Sequence, residues 1–200
     1  LAVIGGSKVS TKLNVLKELM KKVDAIIIGG GIANTFLLSS GYPIGESLAE
    51  ENMINDAKNI INLAKKNNVA IPLPIDVVCG THADAKNKDV NEVLEYELIK
   101  DIGPKTSLIY KKYIEEAGTI IWNGPVGVFE DILFENGTKN IAVSISKSKA
   151  LTIAGGGDTI SAIEKFISID KVNYISTGGG AFLEFLEGNE LPGIKIIKKL

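Results

Sequence analysis

Three glycine triplets are the first features of this chain that suggest chemistry. They occupy residues 29–31, 155–157 and 178–180, and each follows a short apolar run and precedes a helical pattern. Glycine lets the backbone approach a ligand closely, and the first turn of the next helix offers unpaired N–H groups and a positive dipole end. One triplet alone would favour a tight strand-to-helix turn. Three of them predict a shared anion-binding site.

Charged side chains accompany these turns. Asp158 and Thr159 follow the second triplet at a first helical turn, where aspartate is either an ordinary cap and first-turn charge or a ligand for Mg²⁺. The local sequence leaves both interpretations open. Lys8 and Lys12, in "GGSKVSTKL", are four residues apart and could place two positive charges near one phosphate chain. Lysines are also common at exposed helix starts.

The stretch "IIWNGPVGVFE" (120–130) is the most unusual part of the sequence. It ends a buried strand and then places two glycines and Pro125 in a constrained loop before Glu130. A rigid turn would account for the segment 123–127. The carboxylate beyond it could equally accept hydrogen bonds from a pair of ribose hydroxyls.

The standard phosphate-binding fingerprints are missing. In G-x-G-x-x-G the third glycine is replaced by Asn34, Ile160 and Leu183 in the three triplets, and no G-x-x-x-x-G-K-[ST] occurs. These replacements disfavour an ordinary dinucleotide dehydrogenase and a P-loop enzyme. A dehydrogenase domain that binds NAD through an atypical glycine turn stays open as an alternative.

The hydrophobic pattern predicts the elements that position these residues. Apolar runs of strand length occur at 1–5, 25–29, 69–73, 119–123, 151–155 and 173–177. They alternate with helical patterns, which predicts right-handed βαβ units and an α/β fold, a three-layer α/β/α, doubly wound, mainly parallel sheet of about six strands. Segment 72–100 interrupts this alternation and predicts a short antiparallel excursion or a long loop. All three triplets fall at the carboxyl ends of strands, where open parallel sheets bind ligands.

Composition excludes several function classes. The 200 residues carry a net charge of −2 without any block of like charge, which argues against nucleic acid and anionic membrane surfaces as partners. No apolar run approaches the roughly 20 residues that a membrane span needs. We expect a cytoplasmic protein in which Cys79 is an inert thiol and His82 a solvated loop residue. Because the chain begins inside an apparent strand without an initiator Met, we expect a fragment of a longer protein.

Six segments together carry a family resemblance. "GGSKVSTK", "DAIIIGGGIANTFL", "IIWNGPVGVFE", "TIAGGGDTISAI", "STGGGAFLEFLEG" and "LPG" resemble, in this order, the carboxyl-terminal, nucleotide-binding half of phosphoglycerate kinase. The match extends from Gly5 to Gly193. The resemblance implies that residues 1–200 are the nucleotide-binding domain of a two-domain kinase whose amino-terminal substrate domain is absent. It also implies a phosphotransferase with a carboxyl group as acceptor, and it implies a monomer.

The resemblance assigns roles residue by residue. Lys12 would bind nucleotide phosphate, Glu130 the ribose, and Asp158 the Mg²⁺ that accompanies ADP or ATP. Lys8 and the helix opened by Gly178, Gly179 and Gly180 would stabilise the phosphoryl group in transfer between 1,3-bisphosphoglycerate and ADP. The phosphate end is implied to include Gly155, Gly156, Gly157, Asp158 and Thr159, and the surroundings of the adenosine Gly6, Gly30, Gly31, Asn123, Pro125 and Val128.

Two departures from the family pattern affect the expected activity. All 22 basic residues are lysine, and the arginine and histidine cluster that binds the glycerate phosphate in the family's amino-terminal half is absent. We therefore expect this chain alone to bind nucleotide with negligible turnover, and a stand-alone nucleotide-binding module remains an alternative. In "LIKDIGPKT", Lys100 stands where the family is expected to carry an apolar residue of the nucleotide pocket.

Overall fold

The computed structural model describes residues 1–81 and 83–197, so the expectation for His82 lies outside the described residues. In chain order the strands are β1 (Ala2–Ile4), β2 (Ile26–Ile28), β3 (Asp76–Thr81), β4 (Asp84–Asp89), β5 (Ile99–Ile102), β6 (Thr119–Asn123), β7 (Leu151–Gly155) and β8 (Tyr174–Ser176). The helices are α1 (Leu13–Leu19), α2 (Gly30–Ser39), α3 (Ile54–Lys66), α4 (Pro104–Glu116), α5 (Asn136–Lys147), α6 (Gly157–Phe166), α7 (Gly179–Leu186) and α8 (Pro192–Ile197).

The main sheet has five parallel strands in the order β2-β1-β6-β7-β8. Its two faces are both buried, which explains why the strands read as continuous apolar runs. Ile4 and Ile28 pack with α1, α2, α3 and α7 on one face, and Val3 and Ile27 pack with α4, α5 and α6 on the other. The three-layer α/β/α, Rossmann-like prediction is confirmed.

The prediction that residues 69–73 form a strand of the main sheet is wrong. The run 69–73 contributes only an isolated parallel bridge between Ala70 and Ala25. Pro72 and Pro74 lack the backbone N–H that a ladder needs, so the pairing stops after one residue. The chain instead leaves the main sheet at this point.

The segment after this bridge forms a second, smaller sheet. Strands β3, β4 and β5 pair antiparallel in the order β4-β3-β5. The predicted antiparallel excursion is therefore confirmed. This sheet contains Cys79, which is 1% exposed, and burial raises the pKa of its thiol to about 11. The thiolate that a nucleophile needs is disfavoured there, as expected for an inert cysteine.

Each glycine triplet connects a strand of the main sheet to a helix. Helices α2, α6 and α7 begin at Gly30, Gly157 and Gly179, directly after β2, β7 and β8. Within the described residues, no helix is both long and apolar enough to cross a membrane.

Candidate functional site

The loops at the carboxyl edge of the main sheet are bound to one another by backbone hydrogen bonds. The Gly5 N–H donates to the Asn123 carbonyl at 2.9 Å, which joins the loop after β1 to the end of β6. The Gly30 N–H donates to the Val126 carbonyl at 3.0 Å, and the Ile32 N–H donates to the Gly6 carbonyl at 3.2 Å. The motifs that follow β1, β2 and β6 are therefore joined at this edge of the sheet.

The glycines of the triplets serve two different needs. At Gly30, φ is +64° and an added Cβ would lie 2.7 Å from the Gly6 carbonyl oxygen, so close packing between loops requires glycine. At Gly157 an added Cβ would have no heavy atom within 4 Å apart from its chain neighbours and the backbone of its own helix. The first residue of α6 therefore faces open space, where a ligand can approach its backbone.

An apolar cleft of about 240 Å³ lies between α2, β5 and the loop after β6. Most of its wall is aliphatic or backbone, and Lys100, Glu130 and Asp158 bring charge to it. Its lining residues are Gly6, Ser7, Gly30, Gly31, Ala33, Asn34, Leu48, Pro74, Val77, Ile99, Lys100, Asp101, Ile102, Pro125, Val126, Gly127, Val128, Glu130 and Asp158. The cleft suits a flat, mainly apolar ligand group with hydroxyls near Glu130.

A polar groove of about 340 Å³ adjoins this cleft. Its lining residues are Gly5, Gly6, Ser7, Thr11, Lys12, Asn123, Gly124, Gly156, Gly157, Asp158, Thr159, Gly179 and Leu183. Gly6, Ser7 and Asp158 line both spaces, so the apolar cleft and the polar groove meet at these residues. The groove contains Lys12 and the start of α6, whose N–H groups and dipole favour an anion.

Asn123 holds the floor of the polar groove together. Its Nδ2 donates to the Gly155 carbonyl at 2.6 Å, and its Oδ1 accepts a hydrogen bond from Lys12 Nζ. The Thr159 hydroxyl donates to the same carbonyl at 2.9 Å and accepts from the Gly124 N–H at 2.7 Å. These bonds connect β6, β7 and α6 to the lysine before any ligand arrives.

The Lys12 ammonium is only partly solvated. Burial lowers its pKa, and the nearby carboxylates of Asp158 and Glu187 oppose this shift without reversing it. A partly desolvated cation gains from an anionic ligand, because its hydration is already reduced. Sequence reasoning had no signal for Glu187, which lies 175 residues from Lys12 in the chain and reaches it only through the fold.

The structure does not bring every predicted residue to these two spaces. Pro125, Val128 and Glu130 line the apolar cleft, and Asn123, which the resemblance assigned to the surroundings of the adenosine, lines the polar groove. Lys8 is exposed on the loop after β1 and lines neither space. Of the third triplet only Gly179 lines the groove. Ser7 lines both spaces but was not predicted as a site residue, although it lies inside the "GGSK" motif.

Asp158 is the residue that could contact a metal ion. In the described part of the chain, no group of three or more His, Cys, Asp or Glu side chains is placed to hold a metal. Mg²⁺ is commonly held by one or two carboxylates together with substrate phosphates and water. A single carboxylate beside an anion groove therefore fits an ion that arrives with its phosphate ligand.

Lys100 and Asp101 shape the wall of the apolar cleft. The Lys100 ammonium lies 4.9 Å from the centroid of the Phe134 ring. The backbone carbonyl of Lys100 accepts a hydrogen bond from the Val128 N–H at 2.8 Å. Asp101 is 2% exposed, accepts from the Gly137 N–H at 2.6 Å, and has its pKa raised to about 8 by burial. The unexpected lysine charge is thus placed against an aromatic ring.

Comparison with known proteins shows which family this chain resembles. A family model described as "Phosphoglycerate kinase" matches residues 1–189. The solved structure of phosphoglycerate kinase from Coxiella burnetii is similar with a TM-score of 0.96 and 50% identity, over 99% of this chain and 52% of that one. Phosphoglycerate kinase from Pyrococcus horikoshii OT3 is similar with a TM-score of 0.84 and 31% identity, over 98% and 51%. The chain spans about half the length of both.

Proposed function

The chain belongs to the phosphoglycerate kinase family, and we propose that residues 1–200 are the nucleotide-binding domain of a two-domain kinase. This domain binds ADP or ATP with Mg²⁺. With a substrate domain that carries the glycerate, it transfers the acyl phosphate of 1,3-bisphosphoglycerate to ADP reversibly, giving 3-phosphoglycerate and ATP. The proposed protein is cytoplasmic and monomeric.

The continuity between the apolar cleft and the polar groove carries this proposal. A nucleoside diphosphate has an apolar base, a hydroxyl-bearing ribose and a charged phosphate chain in that order. The base fits the aliphatic wall around Val77 and Val126, the ribose lies near Glu130, and the phosphates lie beside Lys12 and Asp158. The order of chemical groups in the ligand matches the order of surfaces in the protein.

The proposed chemistry needs positioning and charge more than proton transfer. The attacking oxygen of a nucleoside diphosphate is already ionised, so no general base is required. Lys12 and the N–H groups at the start of α6 hold the phosphate chain, and Asn123 holds Lys12. When bound at Asp158, Mg²⁺ would neutralise phosphate charge. Lys8 and the start of α7 stabilise the phosphoryl group in transfer.

The chain alone should turn over negligibly. It contains no arginine, so the planar bidentate group that suits a second phosphate-bearing substrate must come from elsewhere. Closure of a second domain over the groove would also exclude water from the reaction. Kinase activity of the isolated chain close to that of a two-domain enzyme would contradict this part of the proposal.

Calorimetric titration of the chain with ADP, with and without Mg²⁺, tests the proposal. We expect Mg²⁺ to strengthen ADP binding in the parent. In the presence of Mg²⁺, Asp158→Asn should weaken ADP binding by at least about tenfold, or about 1.4 kcal/mol. Glu164→Gln, an exposed change on the same helix, is the matched control and should bind as the parent does. Absence of ADP binding would refute the assignment. NAD binding as tight as that of ADP would favour the NAD-binding alternative.

A further inference from the structure

One carboxylate outside both ligand spaces is bound to the loop that carries the two candidate phosphate-binding lysines. Residues 7–12 are here called the lysine loop. Glu50 accepts hydrogen bonds from the Ser10 backbone N–H at 2.8 Å and from the Ser10 hydroxyl at 2.6 Å. The Val9 main chain also acts to lower the pKa of this carboxylate. Glu50 therefore binds the centre of the loop, between Lys8 and Lys12.

The lysine loop needs such support because little of it is buried. Val9 is 0% exposed and packs in the core, but Ser7, Lys8, Ser10 and Thr11 are all exposed. Within the loop, the Thr11 hydroxyl donates to the Lys8 carbonyl at 2.9 Å. An exposed segment of this kind loses considerable backbone entropy when it is ordered.

The same glutamate is bound to the wall of the apolar cleft. The Glu50 N–H donates to the Thr35 hydroxyl at 3.0 Å, and that hydroxyl donates to the Gly31 carbonyl at 2.9 Å. Gly31 lines the apolar cleft, and Thr35 is 0% exposed on α2. A continuous chain of hydrogen bonds thus runs from the first turn of α2 through Glu50 to the lysine loop.

We propose that Glu50 is a positioning residue that holds the lysine loop so that Lys12 faces the phosphate chain of the bound nucleotide. The inference rests on the proposed nucleotide-binding function. It assigns Glu50 no contact with the ligand, because Glu50 lines neither the apolar cleft nor the polar groove.

A carboxylate is well suited to this position. Burial acts to raise the pKa of Glu50, but hydrogen bonds from Ser10 and Val9 and the charge of Lys8 outweigh it, so the net shift is downward. The group is therefore ionised at neutral pH and accepts with both oxygens. Hydrogen bonds to an ionised acceptor are about twice as strong as neutral ones. A glutamine would accept with one oxygen only and would present an NH₂ group to a second donor.

The test compares ligands with and without phosphates on the full 200-residue chain. ADP and adenosine are titrated into the parent, Glu50→Ala, Glu50→Gln and Ser10→Ala, with Glu51→Gln as the matched control at the neighbouring exposed carboxylate. We expect Glu50→Ala to weaken ADP binding by about tenfold or more, and Glu50→Gln and Ser10→Ala to weaken it less. Adenosine binding should stay within about twofold of the parent in all of them, because the apolar cleft keeps its lining.

The outcomes separate positioning from general structural damage. Equal weakening of ADP and adenosine, or no weakening of ADP, would overturn the positioning role. If the parent binds no ADP, the proposed function fails, and hydrogen exchange at the Val9 and Ser10 amides decides the claim about the loop. Faster exchange in Glu50→Gln than in Glu51→Gln supports it, and unchanged exchange overturns it. Glu50→Gln and Ser10→Ala also decide the question if Glu50→Ala does not fold.

Discussion

Asp101 makes the stability of this protein depend on pH in a direction that can be measured. Asp101 is 2% exposed, and burial raises the pKa of its carboxyl group from 3.8 to about 8, although the Gly137 and Ile102 N–H groups act the other way. Between these two values the folded state retains a proton that the unfolded chain has released. The stabilisation from this bound proton is therefore complete below pH 3.8 and is lost as pH rises from there to about 8.

The size of the effect follows from proton linkage. A difference of one bound proton changes the free energy of unfolding by about 1.4 kcal/mol per pH unit. Between pH 5 and pH 7 the contribution of Asp101 should fall by about 3 kcal/mol, which corresponds to a decrease of roughly 1 M or more in the urea midpoint. Asp101→Asn keeps the shape of the side chain but cannot ionise, so this contribution should disappear.

Urea unfolding of the parent and Asp101→Asn at pH 5, 6 and 7 measures the effect. Other groups titrate in both proteins, so the difference between their pH slopes isolates Asp101. Glu116→Gln removes an exposed carboxylate on α4 and should keep the slope of the parent. Equal slopes for the parent and Asp101→Asn would refute the argument that burial holds a proton on this carboxyl group.

Two further substitutions test the packing of the cleft wall. Gly127→Ala should destabilise the fold by about 1–3 kcal/mol in urea unfolding, because an added Cβ would lie 2.1 Å from Asp101 Oδ1, whereas Gly118→Ala, with no atom within 4 Å, should be tolerated. Equal stability of the two variants would contradict this. Lys100→Met should cost about 0.5–1 kcal/mol of stability through loss of the contact with Phe134. Its ADP affinity should stay within about threefold of the parent, and a tenfold change would place the ammonium in the ligand site instead.

Local patterns in the sequence were sufficient for the fold class and for much of the candidate site. Continuous apolar runs predicted buried parallel strands, and the glycine triplets marked the turns at the carboxyl edge of the sheet. These features can be read locally, because a strand and a tight turn are each determined by residues that are adjacent in the chain. The run 69–73 was the exception. Its apolar pattern predicted a strand, and the missing N–H groups of Pro72 and Pro74 prevented one.

Tertiary structure alone decided which side chains act together. Asn123 reaches Lys12 across 111 positions of the chain, and Glu50 reaches Ser10 across 40. Neither pairing has a local signal, because the chain must close long loops before these groups meet. The pKa of Asp101 depends in the same way on burial by distant segments, since an isolated "KDIG" would leave its carboxylate in water.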